Sequence, residues 1–391
     1  MKDHYRAVII GAGQAGLAGA HELVHRGLTP GDDFLILDSN DGPGGAWRNR
    51  WDSLTFDAAH GIADLPDLPG LPLGDPDSDI PASRVVAQYY GNYEQKFGLA
   101  VERPAKVIGV CNDDENTELL TVVWMKNGTC TSVTCDVVLN ATGTWTHPYI
   151  PYIPGIADFR GTQLHTVNFT TADDFAGKKT LVVGGGLSAV QFLLQLASVT
   201  ETVWATRRPP NFTDRTFDTR WGRDVEQAVR DRTYAGDEPA SVVRTTGIPL
   251  WDTYLDGVRD GVLVSRGMFT RITSDGVDFE PPTTESADGL GPSSSDHLVV
   301  PESWQPYDAH HHETVDVIFW NTGFRHALEH LAPLKLRMPG GGIKMRDEVR
   351  VERDPRIFLL GYGSTASTVG ATRAGHRGGR AAMKYLTDHS S

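Results

Sequence analysis

Two glycine-rich segments, each placed between an apolar run and a helical pattern, constrain the fold of this chain more than any other feature. The first reads G-x-G-x-x-G from Gly11 to Gly16, after the apolar residues 7–10 and before a helical pattern over 15–26. Gly11 permits a tight turn, Gly13 lets backbone approach a pyrophosphate, and Gly16 lets the helix pack closely on the strand. This spacing predicts a dinucleotide site in which the phosphates lie at the N-terminus of the helix.

A carboxylate follows the next apolar run. Residues 34–37 have the pattern of a short buried strand that ends at Asp38, 22 residues after Gly16. A carboxylate at this place can accept hydrogen bonds from both hydroxyls of an adenosine ribose. The strand, the glycines, the helix and the acid together indicate a nucleotide with a free ribose diol.

The second glycine-rich segment reads G-x-G-x-x-A from Gly184 to Ala189. The strand pattern that follows it, 202–206, ends in Arg207 and Arg208 instead of an acid. Guanidinium groups pair bidentately with a 2′-phosphate that a carboxylate would repel, so this site favours NADPH over NADH. The alternative is that the two arginines only cap a strand end on the surface.

Other segments support a flavin at the first site. Residues 42–56 hold consecutive glycines and two tryptophans, which would let the chain lie along an extended cofactor and wall its ring system. Two more strand patterns end in small residues at Ala141–Gly143 and Asn321–Gly323, and they look like the two crossings between a flavin domain and an inserted nicotinamide domain. Two such sites imply two nucleotides that meet face to face, in the usual order of FAD first and NADPH second.

A third motif lies near the start of the predicted inserted domain. Residues Phe159 to Phe169 read F-x-G-x-x-x-H-x-x-x-F. Through this fingerprint and the two glycine segments, the chain resembles the flavin-containing monooxygenases, the class B flavoprotein monooxygenases with two dinucleotide folds. The resemblance extends from Gly11 to the last strand pattern, 356–361, and its following helix, although 207–276 departs from the best-known members.

The resemblance implies an oxidoreductase, specifically an NADPH- and O2-dependent FAD monooxygenase. In such an enzyme a flavin C4a-peroxide passes one oxygen atom to nitrogen, sulfur or a carbonyl of a small organic substrate. Phe169 is typical of the flavin-containing and N-hydroxylating branch, whereas Baeyer–Villiger enzymes usually have tryptophan there. His165 is implied to have a structural part in joining the domains.

Two alternatives stay open. One is an FAD-dependent NADPH oxidoreductase without oxygen transfer, and the other is a non-enzymatic nucleotide-binding flavoprotein. A disulfide reductase would place its cysteine pair near residues 42–51, where this chain has none. That absence counts against the first alternative.

We expect FAD and NADPH to be bound by the two glycine segments and by the strand ends around them. The expected cofactor-binding residues are Gly11, Gly13, Gln14, Gly16, Asp38, Gly45, Trp47, Arg48, Trp51, Ala141, Thr142, Gly143, Gly184, Gly186, Ser188, Ala189, Arg207, Arg208, Asn321, Thr322, Gly323 and Gly361. No catalytic acid or base is assigned, because the implied chemistry belongs to the flavin. No metal site is expected.

The expected fold class is α/β, with two Rossmann-like dinucleotide-binding domains and the NADPH domain inserted in the FAD domain. The expected bounds are 1–150 for the first part of the FAD domain, 151–314 for the NADPH domain, and 315–391 for the second part of the FAD domain. Residues 209–270 would cover the cleft or form a plain surface excursion. A C-terminal helix over 370–386, with its start at 367–370, would direct its positive end at the flavin or simply close the sheet.

Composition narrows the expected partners and location. Lysine and arginine total 36 against 50 acidic residues, and the formal net charge of −14 argues against nucleic acid or an anionic membrane as the main partner. No apolar stretch approaches the roughly 18 residues of a spanning helix, and the early strand leaves no room for a signal peptide. Three cysteines cannot build a disulfide framework, so we expect a cytoplasmic protein. A small organic substrate and O2 are the expected partners, and a homodimer is an open alternative.

Two patterns that suggest other chemistry are interpreted as structural. Cys130 and Cys135 fall in a predicted hairpin, where residues five apart point to opposite faces. The run His310–His312 has the pattern of a solvated loop, because consecutive side chains splay apart and lack a carboxylate or thiolate at ligand spacing.

Overall fold

The computed structural model describes residues 2–56, 62–70, 80–213, 227, 229–239, 247–281 and 298–389. The chain divides into two compact units, and the sequence of the second interrupts that of the first. The first unit comprises Met1–His147, Gly222–Val242 and His326–Ser391, and the second comprises Pro148–Trp221 and Val243–Arg325. The fold is α/β with two Rossmann-like units, as the glycine segments predict.

The strands and helices are numbered in chain order. The strands are β1 His4–Ile10, β2 Phe34–Leu37, β3 Val101–Glu102, β4 Lys106–Asn112, β5 Leu120–Lys126, β6 Thr129–Asn140, β7 Thr162–His165, β8 Thr180–Val183, β9 Thr202–Ala205, β10 Phe212–Thr213, β11 Ile248–Pro249, β12 Phe269–Ile272, β13 Gly276–Phe279, β14 His311–Thr314, β15 Val317–Trp320 and β16 Ile357–Leu359. The α-helices are α1 Gln14–His25, α2 Ala82–Lys96, α3 Leu187–Leu196, α4 Asp252–Arg259 and α5 Thr368–Asp388. Short 3-10 helices span Trp47–Asn49, Thr166–Asn168, Ala172–Phe175, Pro301–Ser303, Glu329–Leu334 and Gly363–Thr365. Residues 229–235 are also helical.

The first unit is built on a seven-stranded sheet in the order β3-β2-β1-β6-β5-β4, with β16 also paired to β6. Strand β1 runs parallel to both β2 and β6, and Ile10 lies in register with Leu37 on one side and Asn140 on the other. One face of the sheet packs against α1, α2 and α5. The carboxyl ends of three parallel strands therefore meet at one edge, where open α/β sheets bind ligands.

The second unit is built on four parallel strands in the order β7-β15-β8-β9. Strand β15 is the central one, and Trp320 at its end lies in register with His165 on β7 and Val183 on β8. A three-stranded antiparallel sheet, β12-β13-β14, contributes Phe269 and Phe279 to the same apolar cluster as Trp320. As in the first unit, parallel strands end side by side.

The return to the first unit differs from the sequence expectation. We expected it at 315, but β15 completes the parallel sheet of the second unit, and the first unit resumes at His326. The reason is physical: the buried run Val317–Trp320 fills the gap between β7 and β8 and makes ladder hydrogen bonds to both. Part of the expected cover segment, Gly222–Val242, also belongs to the first unit. Residues 214–226, 228 and 240–246 of the expected segment lie outside the described residues.

The histidine run is not the loop that the sequence predicted. His311 and His312 begin β14, because β13 offers the ladder partners Phe279 and Asp278 opposite them. His312 Nδ1 lies 2.7 Å from the Asp278 carboxylate. Within the described residues, no cluster of histidine, cysteine and carboxylate side chains could hold a metal ion.

The cysteines lie where the sequence predicted. Cys130 and Cys135 are on β6, which forms an antiparallel pair with β5, and Cys130 is exposed while Cys135 is buried. Burial raises the pKa of the Cys135 thiol. None of the helices in the described part of the chain is long and apolar enough to cross a membrane.

The contact between α1 and α5 makes a testable prediction about stability. A Cβ added at Gly375 of α5 would lie 2.5 Å from the carbonyl oxygen of Ala15 and 2.6 Å from Cβ of Ala18, both in α1. In an unconstrained helix, glycine to alanine stabilises by up to about 1 kcal/mol. Here we expect Gly375→Ala to lower the free energy of unfolding by about 1–3 kcal/mol, because overpacking outweighs propensity.

Urea unfolding of the variant measures this effect. Gly109→Ala is the matched control, because a Cβ there meets nothing within 4 Å and the position does not need a positive φ. We expect the control to stay within about 0.5 kcal/mol of the wild type. A Gly375→Ala variant as stable as the control would mean that the two helices do not pack through this glycine.

Candidate functional site

The first glycine turn is held by close backbone contacts. Gly11 has φ +101°, and its N–H donates to Leu37 O at 2.7 Å. A Cβ at Gly11 would lie 2.5 Å from the carbonyl oxygen of Ala141, and a Cβ at Gly16 would overlap the carbonyl oxygen of Gly11. Both glycines therefore have the structural roles predicted from their spacing.

Gly13 differs from the neighbouring glycines because the fold would accept a side chain at this position. Gly13 is the N-cap residue of α1 with an ordinary φ of −84°, and a Cβ there would meet only Gly45 Cα at 3.9 Å. Gly45 has φ +53°, and its own Cβ would lie 2.8 Å from Gly13 Cα. The two glycines thus bring two loops together beside the helix N-terminus and leave a cradle without side chains, which fits a pyrophosphate.

Asp38 faces this turn. Its Oδ2 accepts the Ala12 N–H at 2.7 Å, and its Oδ1 accepts the Asn40 N–H at 2.9 Å. Each oxygen keeps a further lone pair, so the buried carboxylate is fixed in place yet able to accept ribose hydroxyls.

Two residues near Asp38 escaped the sequence analysis. Arg103 Nε lies 3.7 Å from Asp38 Oδ1, and both terminal nitrogens of Arg103 donate to Glu94 on α2. Arg103 and Glu94 are far from the glycine motif in sequence, so no local pattern marks them.

Gln14 and Arg48 make contacts within the protein. Gln14 Nε2 donates to Thr372 Oγ1 of α5 at 2.9 Å, so it ties the first turns of α1 and α5 together. Arg48 Nη1 donates to Pro43 O at 2.8 Å and packs on Gly42, so it holds the glycine loop. Thr372 was not anticipated, because it is distant in sequence.

Three indoles surround one guanidinium in the loop after Gly45. Arg50 Cζ lies 3.8 Å from the ring centroid of Trp145, 5.6 Å from that of Trp47 and 5.9 Å from that of Trp51. We call these four residues the tryptophan cage. Sequence analysis identified Trp47 and Trp51 as wall residues, but it missed Arg50 and Trp145.

The Ala141–Gly143 turn is fixed by a polar network. The Ala141 N–H donates to Ile10 O at 2.7 Å, Thr142 Oγ1 donates to Ala327 O at 2.6 Å, and Asn140 Nδ2 donates to Thr142 Oγ1. His330 Nε2 lies 2.6 Å from Asn140 Oδ1, and burial lowers the pKa of His330 to about 4. His330 is therefore neutral at pH 7 and donates to Asn140.

The C-terminal helix begins as predicted. Its first residue is Thr368, and the N-cap Ser367 accepts the Gly370 N–H at 3.0 Å. Two of the helix arginines, Arg373 and Arg377, pair with the buried Glu348. Gly361, which leads from β16 towards this helix, has φ +82°.

The second glycine turn repeats the contact of the first. Gly184 has φ +138°, and a Cβ there would overlap the carbonyl oxygen of Asn321. Gly186 is the N-cap residue of α3, Ser188 lies in the first turn of that helix, and Ala189 is fully buried. The structure thus brings Asn321, and the Thr322 and Gly323 that follow it, beside the second glycine turn.

His165 holds this strand end in place. Its Nδ1 accepts the Val167 N–H at 3.4 Å, so Nε2 carries the proton and donates to Gly323 O at 3.0 Å. Burial lowers the pKa of His165, which keeps the ring neutral. Within the second unit the contacts of His165 are structural.

Phe169, the last fingerprint residue, is a core residue. Its ring contacts Phe175, Phe192 and Phe319 at centroid distances of 5.8, 4.6 and 5.9 Å. The fingerprint therefore joins β7, α3 and β15 into one packed layer.

Arg207 and Arg208 follow the end of β9. Arg207 is exposed and Arg208 is half-buried, and Thr206 Oγ1 donates to Arg208 O at 2.6 Å. The segment 264–267 pairs alongside β9, since the Arg266 N–H donates to Trp204 O and the Thr206 N–H donates to Gly267 O. This pairing brings Arg266, a third cation that the sequence did not mark, to the same strand end.

Three comparisons bear on this site. The sequence profile of the pyridine nucleotide-disulphide oxidoreductase family matches residues 8–233. The solved structure of the flavin-containing monooxygenase from Stenotrophomonas maltophilia is 29% identical to this chain and has a TM-score of 0.74, with 98% of this chain and 99% of that chain covered. A double-mutant form of that enzyme is 30% identical, with the same TM-score and coverage. A bacillithiol disulfide reductase from Bacillus cereus, at 17% identity and a TM-score of 0.66, shares the fold over 97% of this chain and 99% of its own.

Curated relatives match over part of their length. An indole-3-pyruvate monooxygenase of Arabidopsis thaliana is 31% identical over 197 residues, which are 49% of this chain and 45% of the relative. An uncharacterized CzcO-like oxidoreductase of Geobacillus kaustophilus is 31% identical over 191 residues, 49% of this chain and 51% of the relative. The chain spans about half the length of these relatives.

The two glycine turns predict separable effects on the two nucleotides. We expect Gly13→Val to expel the flavin, because the side chain would enter the cradle while meeting nothing of the protein closer than 3.9 Å from its Cβ. We expect Gly186→Val to keep the flavin and to lose reduction by NADPH. The ratio of flavin to protein absorbance and anaerobic bleaching by NADPH measure the two effects.

The two variants control for each other, because each places valine at the N-cap of a Rossmann helix. A Gly13→Val protein that stays fully yellow would remove the first turn from the flavin site. Loss of flavin from Gly186→Val would mean that the two nucleotides are interchanged or that the substitution destroys the fold cooperatively.

Proposed function

We propose that this chain is an NADPH-dependent FAD monooxygenase that transfers one oxygen atom from O2 to a small organic substrate. The chain belongs to the pyridine nucleotide-disulphide oxidoreductase family and, within it, to the flavin-containing monooxygenases. The observation that carries the proposal is the pair of equivalent glycine turns, the first facing a carboxylate and the second followed by a strand that leads to two arginines. A likeness to a flavin-containing monooxygenase over nearly the full length of both chains supports it.

The first turn fits FAD. The cradle between Gly13 and Gly45 has no side chain, and the N-terminus of α1 supplies unpaired N–H groups for the pyrophosphate. The fixed carboxylate of Asp38 suits a ribose with free hydroxyls and would repel a 2′-phosphate. The first site therefore favours FAD over NADPH.

The second turn fits NADPH. Gly184 and Gly186 lie in the turn that leads into the N-terminus of α3. Three arginines, Arg207, Arg208 and Arg266, lie at the end of the adjacent strand β9. Guanidinium groups at this position of a dinucleotide fold can pair with a 2′-phosphate. NADH lacks that phosphate, so arginines here favour NADPH.

The residues of the chain would bind, orient and shield rather than react. When bound, FAD would supply the hydride acceptor and the oxygen-activating ring system. The glycine turns would hold the two nucleotides, and the indoles of Trp47, Trp51 and Trp145 would keep water away from the ring system. His330 stays neutral, and its bond to Asn140 keeps the Ala141–Gly143 turn fixed during turnover.

The reductase alternative is less well supported. Thiol chemistry needs a cysteine pair beside the flavin, and residues 42–51 contain none. The three cysteines are free, and the exposed Cys130 lies on β6 five positions before the buried Cys135. The solved disulfide and thioredoxin reductases resemble this chain in fold alone.

Oxygen-isotope labelling tests the proposed reaction. The FAD-loaded protein is supplied with NADPH, ¹⁸O2 and three probes: thioanisole, N,N-dimethylbenzylamine and cyclohexanone. We expect one labelled oxygen atom in the product of at least one probe, with NADPH consumed in equal amount. Reduction of an aryl disulfide under argon, together with unlabelled probes, would contradict oxygen transfer and favour a reductase.

Cofactor preference tests the second site. A charge-assisted guanidinium–phosphate bond contributes roughly 1.5–3 kcal/mol, and each 1.4 kcal/mol is a tenfold change in binding. We therefore expect Arg207→Ala and Arg208→Ala each to weaken NADPH by about 10- to 100-fold while NADH hardly changes. Michaelis constants for both cofactors measure this difference.

Arg271→Ala is the matched control, since Arg271 is an exposed arginine on β12 of the same unit. We expect it to leave both constants unchanged. Equal weakening of NADPH and NADH in the Arg207 and Arg208 variants would assign these arginines to the fold.

A further inference from the structure

The tryptophan cage holds a cation that has no counter-charge among the residues that the structure describes. The side chain of Arg50 makes no hydrogen bond or ion pair with any residue that the structure describes, and its Nε is buried without a partner. Of the three guanidinium nitrogens, only Nε is both buried and without a hydrogen-bond partner. Burial lowers the pKa of Arg50 to about 10, which still leaves it cationic at neutral pH.

Several other arginines of the first unit have carboxylate partners. Arg103 pairs with Glu94, Arg356 with Asp354, and Arg380 with Glu22. Asp52 lies only two positions after Arg50 in the sequence, but its carboxylate pairs with Arg84, at 3.3 Å, and not with Arg50. A desolvated guanidinium without an anion is costly, because its donors lose water and gain no acceptor. The cage is therefore complete only when an anion joins it.

The place of the cage indicates what that anion belongs to. Trp47 comes two residues after Gly45, and the Cα of Gly45 lies beside Gly13. Trp145 comes two residues after Gly143, in the same turn as Ala141, whose carbonyl oxygen lies beside Gly11. The cage is thus built from the two loops that flank the first glycine turn, at the carboxyl ends of parallel strands. This is the edge of an α/β sheet where ligands bind.

We propose that Arg50 anchors the carboxylate of the organic substrate, so that the preferred substrate is a small organic acid with an apolar body. The ring faces fix the plane of the guanidinium by stacking and leave its outer edge open. That edge binds a carboxylate with two parallel N–H···O bonds. The apolar part of the acid then lies against the indoles. This assignment rests on the proposed monooxygenase function, because it names the substrate class of that site.

Binding to the FAD-loaded protein tests the assignment without turnover. The probes are phenylacetate and 3-phenylpropionate, each compared with its neutral amide by calorimetric titration. We expect the wild type to bind each acid at least tenfold tighter than its amide. We expect Arg50→Gln to weaken both acids by about 10- to 100-fold and to change the amides less than twofold.

Two further variants separate charge from folding. Arg50→Lys keeps the charge but loses the bidentate edge, so we expect acid binding between that of the wild type and that of Arg50→Gln. Arg84→Gln removes an exposed arginine that lies near Asp52, and we expect wild-type values for all probes. Urea unfolding checks that each variant is folded.

Three outcomes would overturn the assignment. The first is a wild type that does not prefer the acids, and the second is an equal loss of acid and amide binding in Arg50→Gln. The third is an Arg50→Gln variant that loses FAD or shifts the flavin potential while its preference for acids persists, because Arg50 would then serve the cofactor. The isotope experiment is scored separately, so oxygen transfer to neutral probes would stand if the acid preference failed.

Discussion

One steric constraint is repeated in both units, and the rest of each site depends on it. The carbonyl oxygen of Ala141 lies against Gly11, and the carbonyl oxygen of Asn321 lies against Gly184, so closely that neither glycine could carry a side chain. Each contact joins a strand end, a helix N-terminus and a neighbouring strand end into one rigid edge. Because that edge is fixed by backbone atoms, the side chains around it can differ, and under the proposed function these differences select the nucleotide.

Those differences are electrostatic. At the first edge, the backbone N–H groups of Ala12 and Asn40 hold the Asp38 carboxylate, and nearby buried acids such as Glu348 have arginine partners. Hydrogen bonds from His376, Arg26 and Arg380 outweigh desolvation and lower the pKa of Glu22 to about 2. These buried acids of the first unit are thus matched by cations. The cation of the tryptophan cage has no such partner among the described residues, and this difference is what motivates the binding role proposed for it.

The sequence alone predicts the role of a residue when that role depends on its neighbours in the chain. It does not predict a role that depends on tertiary contacts. The glycine spacings and the start of α5 were predicted, since each depends on a few consecutive residues. Arg103 and Arg266 were missed because they reach their sites through packing from distant segments. The second crossing was placed at 315 because β6 and β15 end in the same small-residue pattern, and such a pattern does not tell which sheet a strand completes.

The fingerprint that carries the family resemblance is also explained by packing. His165 fixes the carbonyl of Gly323, and Phe169 packs in a cluster of four phenylalanines behind the second glycine turn. Both residues maintain the edge of the second unit, and their contacts within it are structural. A change at position 169 therefore alters how α3 and β15 pack. Under the proposed function, discrimination among substrates comes instead from side chains near the first edge whose donors have no partner among the described residues, and Arg50 is such a side chain.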